Sequence, residues 1–289
     1  MKTKEIYYTL ADSKLFVELL ITFYKISGKR PWSIGYWEAR NKEIARLINN
    51  QKTLQNMSED KNLPINYGKN FDERVIEYPW LVSRIRKKDK FVLDAGSIFN
   101  FPFVVNDQKL TGKKLVIANL NPERYCFYKT GVSYVYSEYA DIRNTCFKNN
   151  LFDVIVCSSV LEHVGMDNTF IYSSESKFDE KKTEDYLSVI DELHRLLKKG
   201  GRLLLTFPFG KYENLGWLQQ FDIKNVKKII KRFNGNSNLN FYKYTKNGWI
   251  KSNEEECKEC LYFDIHKDKV IDSINTAAAR AVACLELKK

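Results

Sequence analysis

Two adjacent polar residues, Glu162 and His163, stand just past the apolar run Phe152-Asp-Val-Ile-Val-Cys157. An imidazole titrates near neutrality and can take a proton from a hydroxyl or an amine, and a neighbouring carboxylate can orient it. The run before the pair is rich in β-branched residues and reads as a strand buried on both faces, ended by Ser158 and Ser159. Ligands of open α/β sheets collect beyond the carboxyl ends of the strands, where this pair falls. A second such junction is Phe91–Ala95 with Asp94-Ala-Gly96-Ser97. A glycine there lets backbone approach a ligand with no Cβ in the way. Cys257-Lys-Glu-Cys260 is a CxxC pair, but zinc needs three or four ligands and only His266 is near, so no metal is expected. Reduced thiols in a polar loop fit better. His194, next to Leu193 in a helical pattern, reads as structural, and His266, among Asp264, Lys267 and Asp268, reads as a surface residue.

The elements that must position these groups alternate along the chain. Strand-length apolar runs at Phe91–Ala95, Lys114–Asn119, Ser133–Tyr136, Phe152–Ser158 and Arg202–Phe207 are separated by helical or loop segments, as in a parallel α/β sheet. Leu187, Ile190, Leu193 and Leu197 mark a helix over Thr183–Lys199, which Gly200-Gly201 ends and turns into the next strand. Asp222–Phe233 reads as a helix, and Phe241–Tyr244 and Arg280–Leu287 as strands that extend the sheet edge antiparallel. Residues 1–88 are mostly helical in pattern and are expected to form an amino-terminal cap on an α/β domain spanning 89–289. Asn70-Phe-Asp-Glu73 resembles a capping box that opens a helix toward Arg86, with Pro79 kinking that helix or ending its first segment. Trp32, Tyr36 and Trp37, close to Gly28 and Gly35, suggest an aromatic loop that packs down on something.

Four segments in order carry a resemblance: Val92–Gly96 (VLDAG), Leu115–Glu123 (LVIANLNPE), Ala140–Gly165 (ADIRN…FDVIVCSSVLEHVG) and Leu193–Pro208 (LHRLLKKGGRLLLTFP). Over residues 72–210 the chain resembles the class I S-adenosylmethionine-dependent methyltransferases. The resemblance implies a Rossmann-like α/β fold, with a seven-stranded, mostly parallel sheet and an antiparallel edge hairpin, and S-adenosyl-L-methionine as cofactor. It implies that Asp94, Gly96 and Ser97 form the loop under the methionine part, and that Asn119, with Leu120 beside it, meets the ribose. Asp141 would recognise the adenine amino group, with Ile142 as an apolar wall. Ser158 and Ser159 would lie beside the transferred methyl, with His163 as general base and Glu162 as its partner. The chain departs from the family in two places. Ser97-Ile-Phe-Asn100 follows Gly96 with no further glycine, and Asn119 stands where the family has an acid, forfeiting charge-assisted bonds.

The chain has 289 residues, 44% of them hydrophobic, enough for a large core with an accessory region. The apolar patch around Phe16–Phe23 is too short to span a bilayer and is interrupted by Glu18, and no signal-peptide pattern is seen. Six scattered cysteines fit a reducing, cytoplasmic setting. The net charge of +11 favours an anionic partner, whether nucleic acid, a phosphorylated small molecule or a membrane surface. Between 222 and 251, Lys224, Lys227, Lys228, Lys231, Arg232, Lys243, Lys246 and Lys251 face a lone Asp222, as a solvated helix face or a substrate-related patch. The expected function is methyl transfer to a hydroxyl, in preference to an amine, of a small molecule. Surface-polysaccharide or capsule precursors, such as phosphorylated or nucleotide-activated sugars, are the expected class. Nucleic acid is disfavoured, because the fourth strand ends in Ser158-Ser-Val-Leu161 and lacks the Asn/Asp-Pro-Pro-aromatic motif that holds a flipped base. The alternatives are an RNA-directed methyltransferase and a cofactor-degenerate scaffold of the same fold.

Overall fold

Five strands carry the polar junctions: β1 (Phe91–Ala95), β2 (Lys114–Asn119), β3 (Val132–Tyr136), β4 (Phe152–Ser158) and β5 (Leu197–Pro208). They come from a computed structural model that describes residues 13–289 apart from 124, 128, 170, 265–271 and the side chain of 138. Successive side chains of a strand point to opposite faces, and here both faces are covered. Leu93, Ile155, Cys157, Leu203 and Leu205 pack on one face beneath α6 (Tyr186–Leu196) and α7 (Ile223–Phe233). Val92, Val154, Val156 and Leu204 pack on the other, with α2 (Tyr36–Ile48), α3 (Gln51–Ser58) and α4 (Arg74–Arg84). Residues 44–85 therefore share one core with the sheet. An outer helix, α1 (Lys14–Ile26), leans on α2 through Ile21, Tyr24, Tyr36 and Ala39.

Three more strands, β8 (Asn236–Thr245), β9 (Gly248–Ser252) and β10 (Ala281–Lys288), complete the order β3-β2-β1-β4-β5-β10-β8-β9. The pairings among β1–β5 are parallel, and those of β5 with β10, β10 with β8 and β8 with β9 are antiparallel. Strand order reverses between β1 and β4, which opens a crevice at their carboxyl ends. Here Asp94-Ala-Gly96-Ser97 and Ser158-Ser159 come together.

The sheet thus has eight strands where seven are expected from sequence. The additional strand, β9, hides in a lysine-rich stretch, because long-range partners create it. Trp249 donates from its backbone to Tyr67 and from its indole to Phe71, at 2.8 and 3.0 Å, and its ring meets Tyr244 edge-on. The helix expected to reach Lys199 ends at Leu196, and Leu197 already pairs with Phe152. Gly200, at φ 76°, sits in the register shift that follows. No capping box opens α4: Asp72 Oδ1 accepts the Arg74 N–H at 3.2 Å, and Pro79 lies inside the helix without ending it. Asp222 and Asn225 do form a capping box, at the start of α7.

Lys228 and Arg232 pair with Glu184 and Asp191 on the α6 side. None of the eight basic residues of 222–251 lines either cavity described below. Cys257 and Cys260 are buried in a core with Phe209 and Phe241, not in a polar loop, and burial raises both thiols. No group of three metal-ligating side chains occurs among the described residues, and His266 lies outside them. His194 sets its ring edge-on to Phe233 at 5.0 Å. No helix among the described residues is long and apolar enough to cross a membrane.

Candidate active site

The loop after β1 is built around Asp94. Its carboxylate is fully buried and accepts the backbone N–H groups of Ile98 and Phe99, at 3.2 and 2.7 Å. Burial pushes its pKa up to about 7, against the pull of those bonds. Asp94 therefore holds the loop from behind and lines neither cavity. Gly96 sits at φ 122°, and a Cβ there would lie 2.2 Å from Val160 Cγ2. Ser97 follows at φ 66°. Two consecutive left-handed residues make the bend that the family makes with further glycines. Ile98 reaches the front cavity, whereas Phe99 turns inward and is fully buried in the core with α4.

Two cavities flank this loop and share Gly96, Ser159 and His163. The rear one, about 250 Å³, is lined by Asn119, Leu120, Asp141 and Ile142 with Val160 and Tyr172. Asp141 is gripped by Arg143, whose Nη2 lies 2.8 Å from Oδ2 and whose Nη1 continues to Glu180 and Asp185. Burial raises the Asp141 carboxyl, but the Arg143 bonds outweigh it and hold the group below the ordinary range. Asn119 donates its amide to Glu123 Oε1 at 3.1 Å. Sequence reasoning passed over Glu123, the last residue of LVIANLNPE. It sets a carboxylate beside the end of β2, outside the lining of the rear cavity.

The front cavity, about 320 Å³, is lined by Ser97, Ser158, Ser159, Glu162 and His163 together with the start of α4. His163 lies 3.0 Å through Nδ1 from the Trp217 carbonyl, and the two rings lie 5.3 Å apart. A carbonyl only accepts, so Nδ1 carries the proton and Nε2 of the neutral ring keeps its lone pair. Burial lowers His163 to about 4. The backbone of Trp217, and not the carboxyl of Glu162, therefore orients the imidazole. Glu162 is buried, its Oε2 has no protein partner, and burial raises it to about 8. Glu73 repeats the pattern, raised to about 8 by burial and by nearby Asp72 and Glu77.

Glu77 of α4 ties this wall to the sheet. Its Oε1 accepts from Ser159 and Thr206, both at 2.7 Å, and its Oε2 pairs with Arg74 at 2.8 Å. Ser158 in turn meets Thr206 at 2.6 Å. Both serine hydroxyls are thus committed to the framework. The expected aromatic loop also packs here: Trp32 donates to the Ala277 carbonyl at 2.6 Å, and with Trp37 it forms one side of the cavity. Trp217, Tyr262 and Arg40 complete it. Sequence reasoning missed these, because they come from distant segments with no common periodicity. Arg40, over the Trp37 ring at 4.1 Å, was detectable as a cation beside the aromatic cluster.

The arrangement fits S-adenosyl-L-methionine. A backbone cradle at Gly96, closed to any larger residue, lies between an apolar-polar cavity that suits adenosine and a polar one that suits an amino acid. The buried Ser97 Oγ in the second has no protein partner. A family profile described as a methyltransferase domain matches residues 118–205, from the end of β2 through most of β5. No curated protein matches the chain. Among solved structures, the chain is similar to the Burkholderia thailandensis 1,6-didemethyltoxoflavin-N1-methyltransferase, bound to 1,6-didemethyltoxoflavin and S-adenosylhomocysteine. Identity is 11%, coverage is 69% of this chain and 70% of that one, and the TM-score is 0.39. For a SAM-dependent methyltransferase of Archaeoglobus fulgidus the corresponding values are 12%, 72%, 93% and 0.44. For the complex of the Haloferax volcanii Trm112 methyltransferase activator with a methyltransferase they are 9%, 85%, 97% and 0.45. Residues 118–205 thus match a methyltransferase domain, set on a Rossmann-like α/β sheet.

Proposed function

We infer that this chain is an S-adenosyl-L-methionine-dependent methyltransferase that holds adenosine in the rear cavity and the acceptor in the front one, and methylates a hydroxyl of a small, polyhydroxylated molecule. The observation that carries the reading is His163, which lines both cavities with its tautomer set by the Trp217 carbonyl. When bound, the cofactor supplies a methyl carbon already activated by its sulfonium. The protein then aligns the acceptor and moves one proton. His163 Nε2 takes the hydroxyl proton, and the resulting imidazolium is steadied by the Trp217 carbonyl. Glu162 and Glu73, kept protonated near neutrality by burial, offer O–H donors to other acceptor oxygens. Trp32, Trp37, Trp217 and Tyr262 present flat faces to an apolar ring face and exclude water. This mixture of aromatic faces and neutral carboxyl donors suits a sugar ring, which supports a phosphorylated or nucleotide-activated sugar of the surface-polysaccharide or capsule type. An anionic group on it would meet Arg40 and Arg74.

The test is methyl transfer from labelled cofactor to a panel of such sugars, with His163→Ala beside the unaltered chain. Loss of the base is expected to lower kcat by roughly 10²–10⁴-fold while S-adenosylhomocysteine affinity stays within about twofold. Unchanged kcat, or equal loss of turnover and cofactor affinity, would contradict the assignment.

A further inference from the structure

The chain is basic, with a net charge of +11, yet among the described residues around the front cavity Asp72, Glu73, Glu162 and Asp264 outnumber Arg40 and Arg74. Both arginines already have a carboxylate, Asp72 at 2.6 Å and Glu77 at 2.8 Å. Glu73 and Glu162 stand on different elements, one at the start of α4 and the other in the turn after β4. They are 7% and 1% exposed, and each keeps its Oε2 without a protein partner. Burial raises the Tyr262 hydroxyl, and the Glu73 and Glu162 carboxyls raise it further, so the three groups face one space. Two buried oxygens with no donor from the protein call for a donor from the ligand. Trp32, Trp217 and Tyr262 add aromatic rings to the same lining, and the face of such a ring attracts a cation. Ring faces with carboxyls that lack a cation are the chemistry that recognises an ammonium group.

We propose, on the reading that the front cavity holds the acceptor, that this acceptor is an amino sugar whose ammonium group sits between Glu73 and Glu162, against the rings of Trp217 and Tyr262. A cation there favours the charged form of the two acids. One of them then releases its proton, while the other keeps an O–H for a neighbouring sugar oxygen. Beyond burial, Asp72 and Glu77 hold Glu73 toward its neutral form and Arg74 opposes them. Arg40 on α2, His163 and Asp264 are the other charged or titratable groups of the lining. The ammonium nitrogen has no lone pair, so it is a handle and not the nucleophile, and the methyl goes to a hydroxyl. An N-acetyl group in its place offers a neutral amide and leaves the pair without its cation.

The experiment is calorimetric titration, with S-adenosylhomocysteine bound, of hexoses that carry one amine at C2, C3, C4 or C6, each beside its N-acetyl form. At pH 7 at least one amino sugar should bind about tenfold or more tighter than its N-acetyl form, with release of about one proton, read from buffers of different ionisation enthalpy. Glu73→Gln and Glu162→Gln keep the size of the side chain. Each should reduce the preference to about twofold or less, with S-adenosylhomocysteine affinity within about twofold of the unaltered chain. Absence of binding by every amino sugar, equal binding of the N-acetyl forms, or a preference untouched by both variants would overturn the proposal. So would a loss of S-adenosylhomocysteine affinity in the variants with the sugar preference intact, because the pair would then hold the ammonium of the cofactor. Selective binding without methyl transfer would leave the ammonium site standing and contradict the reaction instead.

Discussion

His163 Nδ1 and the carbonyl oxygen of Trp217, in the loop between β6 (Glu213–Asn214) and β7 (Gln219–Gln220), are 3.0 Å apart. A short hairpin after β5 thus fixes the proton of an imidazole that stands after β4. The same packing that fixes it also withdraws it from water, so the site is both orienting and desolvating. The neighbouring acids respond in the opposite sense from the imidazole, and that difference is measurable.

Glu162, Glu73 and Asp94 have folded-state pKa values raised by burial to about 8, about 8 and about 7. Between their ordinary range and these values the folded chain holds protons that the unfolded chain has released. Their contribution to stability is therefore complete below about pH 4 and is lost as pH rises through about 8. His163, lowered to about 4, acts oppositely, and its contribution is lost as pH falls from about 6.5 toward 4. Glu162→Gln removes one of the acids without adding charge. The thermal midpoint of the unaltered chain should fall between about pH 6 and pH 8.5, and the variant should shrink that fall by about 2–4 °C. An identical fall in both would place the titration elsewhere.

Gly96 and Val160 form a second testable pair. Gly96→Ala puts a Cβ 2.2 Å from Val160 Cγ2 and requires φ 122° of an alanine. The expected cost is about 2–3 kcal/mol in denaturant unfolding. Val160→Ala in the same chain should recover the steric part and leave the backbone part. If the double variant unfolds at the sum of the two single losses, the contact is not what makes the glycine necessary.

Asn119 and Glu123 are coupled at the end of β2 by an amide–carboxylate bond. Asn119→Asp restores the family's residue type but sets two carboxylates about 3 Å apart, where one amide–carboxylate bond now stands. S-adenosylhomocysteine affinity, read by calorimetry, should therefore fall by about tenfold in Asn119→Asp. It should recover when Glu123→Gln is added. A gain in affinity from Asn119→Asp alone would show that Glu123 has no part in the ribose end of the cavity.

Glu77 has no exposed surface, and its carboxylate serves three partners, Arg74, Ser159 and Thr206. Glu77→Gln leaves Arg74 without its carboxylate and should cost about 3 kcal/mol in unfolding free energy. Ser159→Ala, which removes one neutral donor, should cost about 1 kcal/mol. Equal effects would mean that the network is divided evenly and that Glu77 is not its hub.

The parallel half of the fold was legible because its strands are buried on both faces, so Val92–Ala95 and Val154–Cys157 carry apolar side chains in both directions. The edge was less so. Trp249 makes β9 a strand through Tyr67 and Phe71, residues that no local pattern connects to it. The rear cavity could be assembled residue by residue from the resemblance, because Asn119, Leu120, Asp141 and Ile142 come from strand ends of fixed order. The front cavity could not, since Arg40, Glu73, Trp217 and Tyr262 converge from four segments that have no shared spacing. Asp94 illustrates a subtler loss: its residue type was right for the loop, but only the bonds to Ile98 and Phe99 reveal that it faces the backbone.

The most direct measurement of the account is a crystal structure with S-adenosylhomocysteine. The division of the crevice predicts adenine beside Asp141 and Ile142, and the amino-acid end in the front cavity by Ser97. The sulfur should lie at the junction lined by Gly96, Ser159 and His163. Adenine in the front cavity against Trp32 and Trp217, or a sulfur remote from His163, would contradict it.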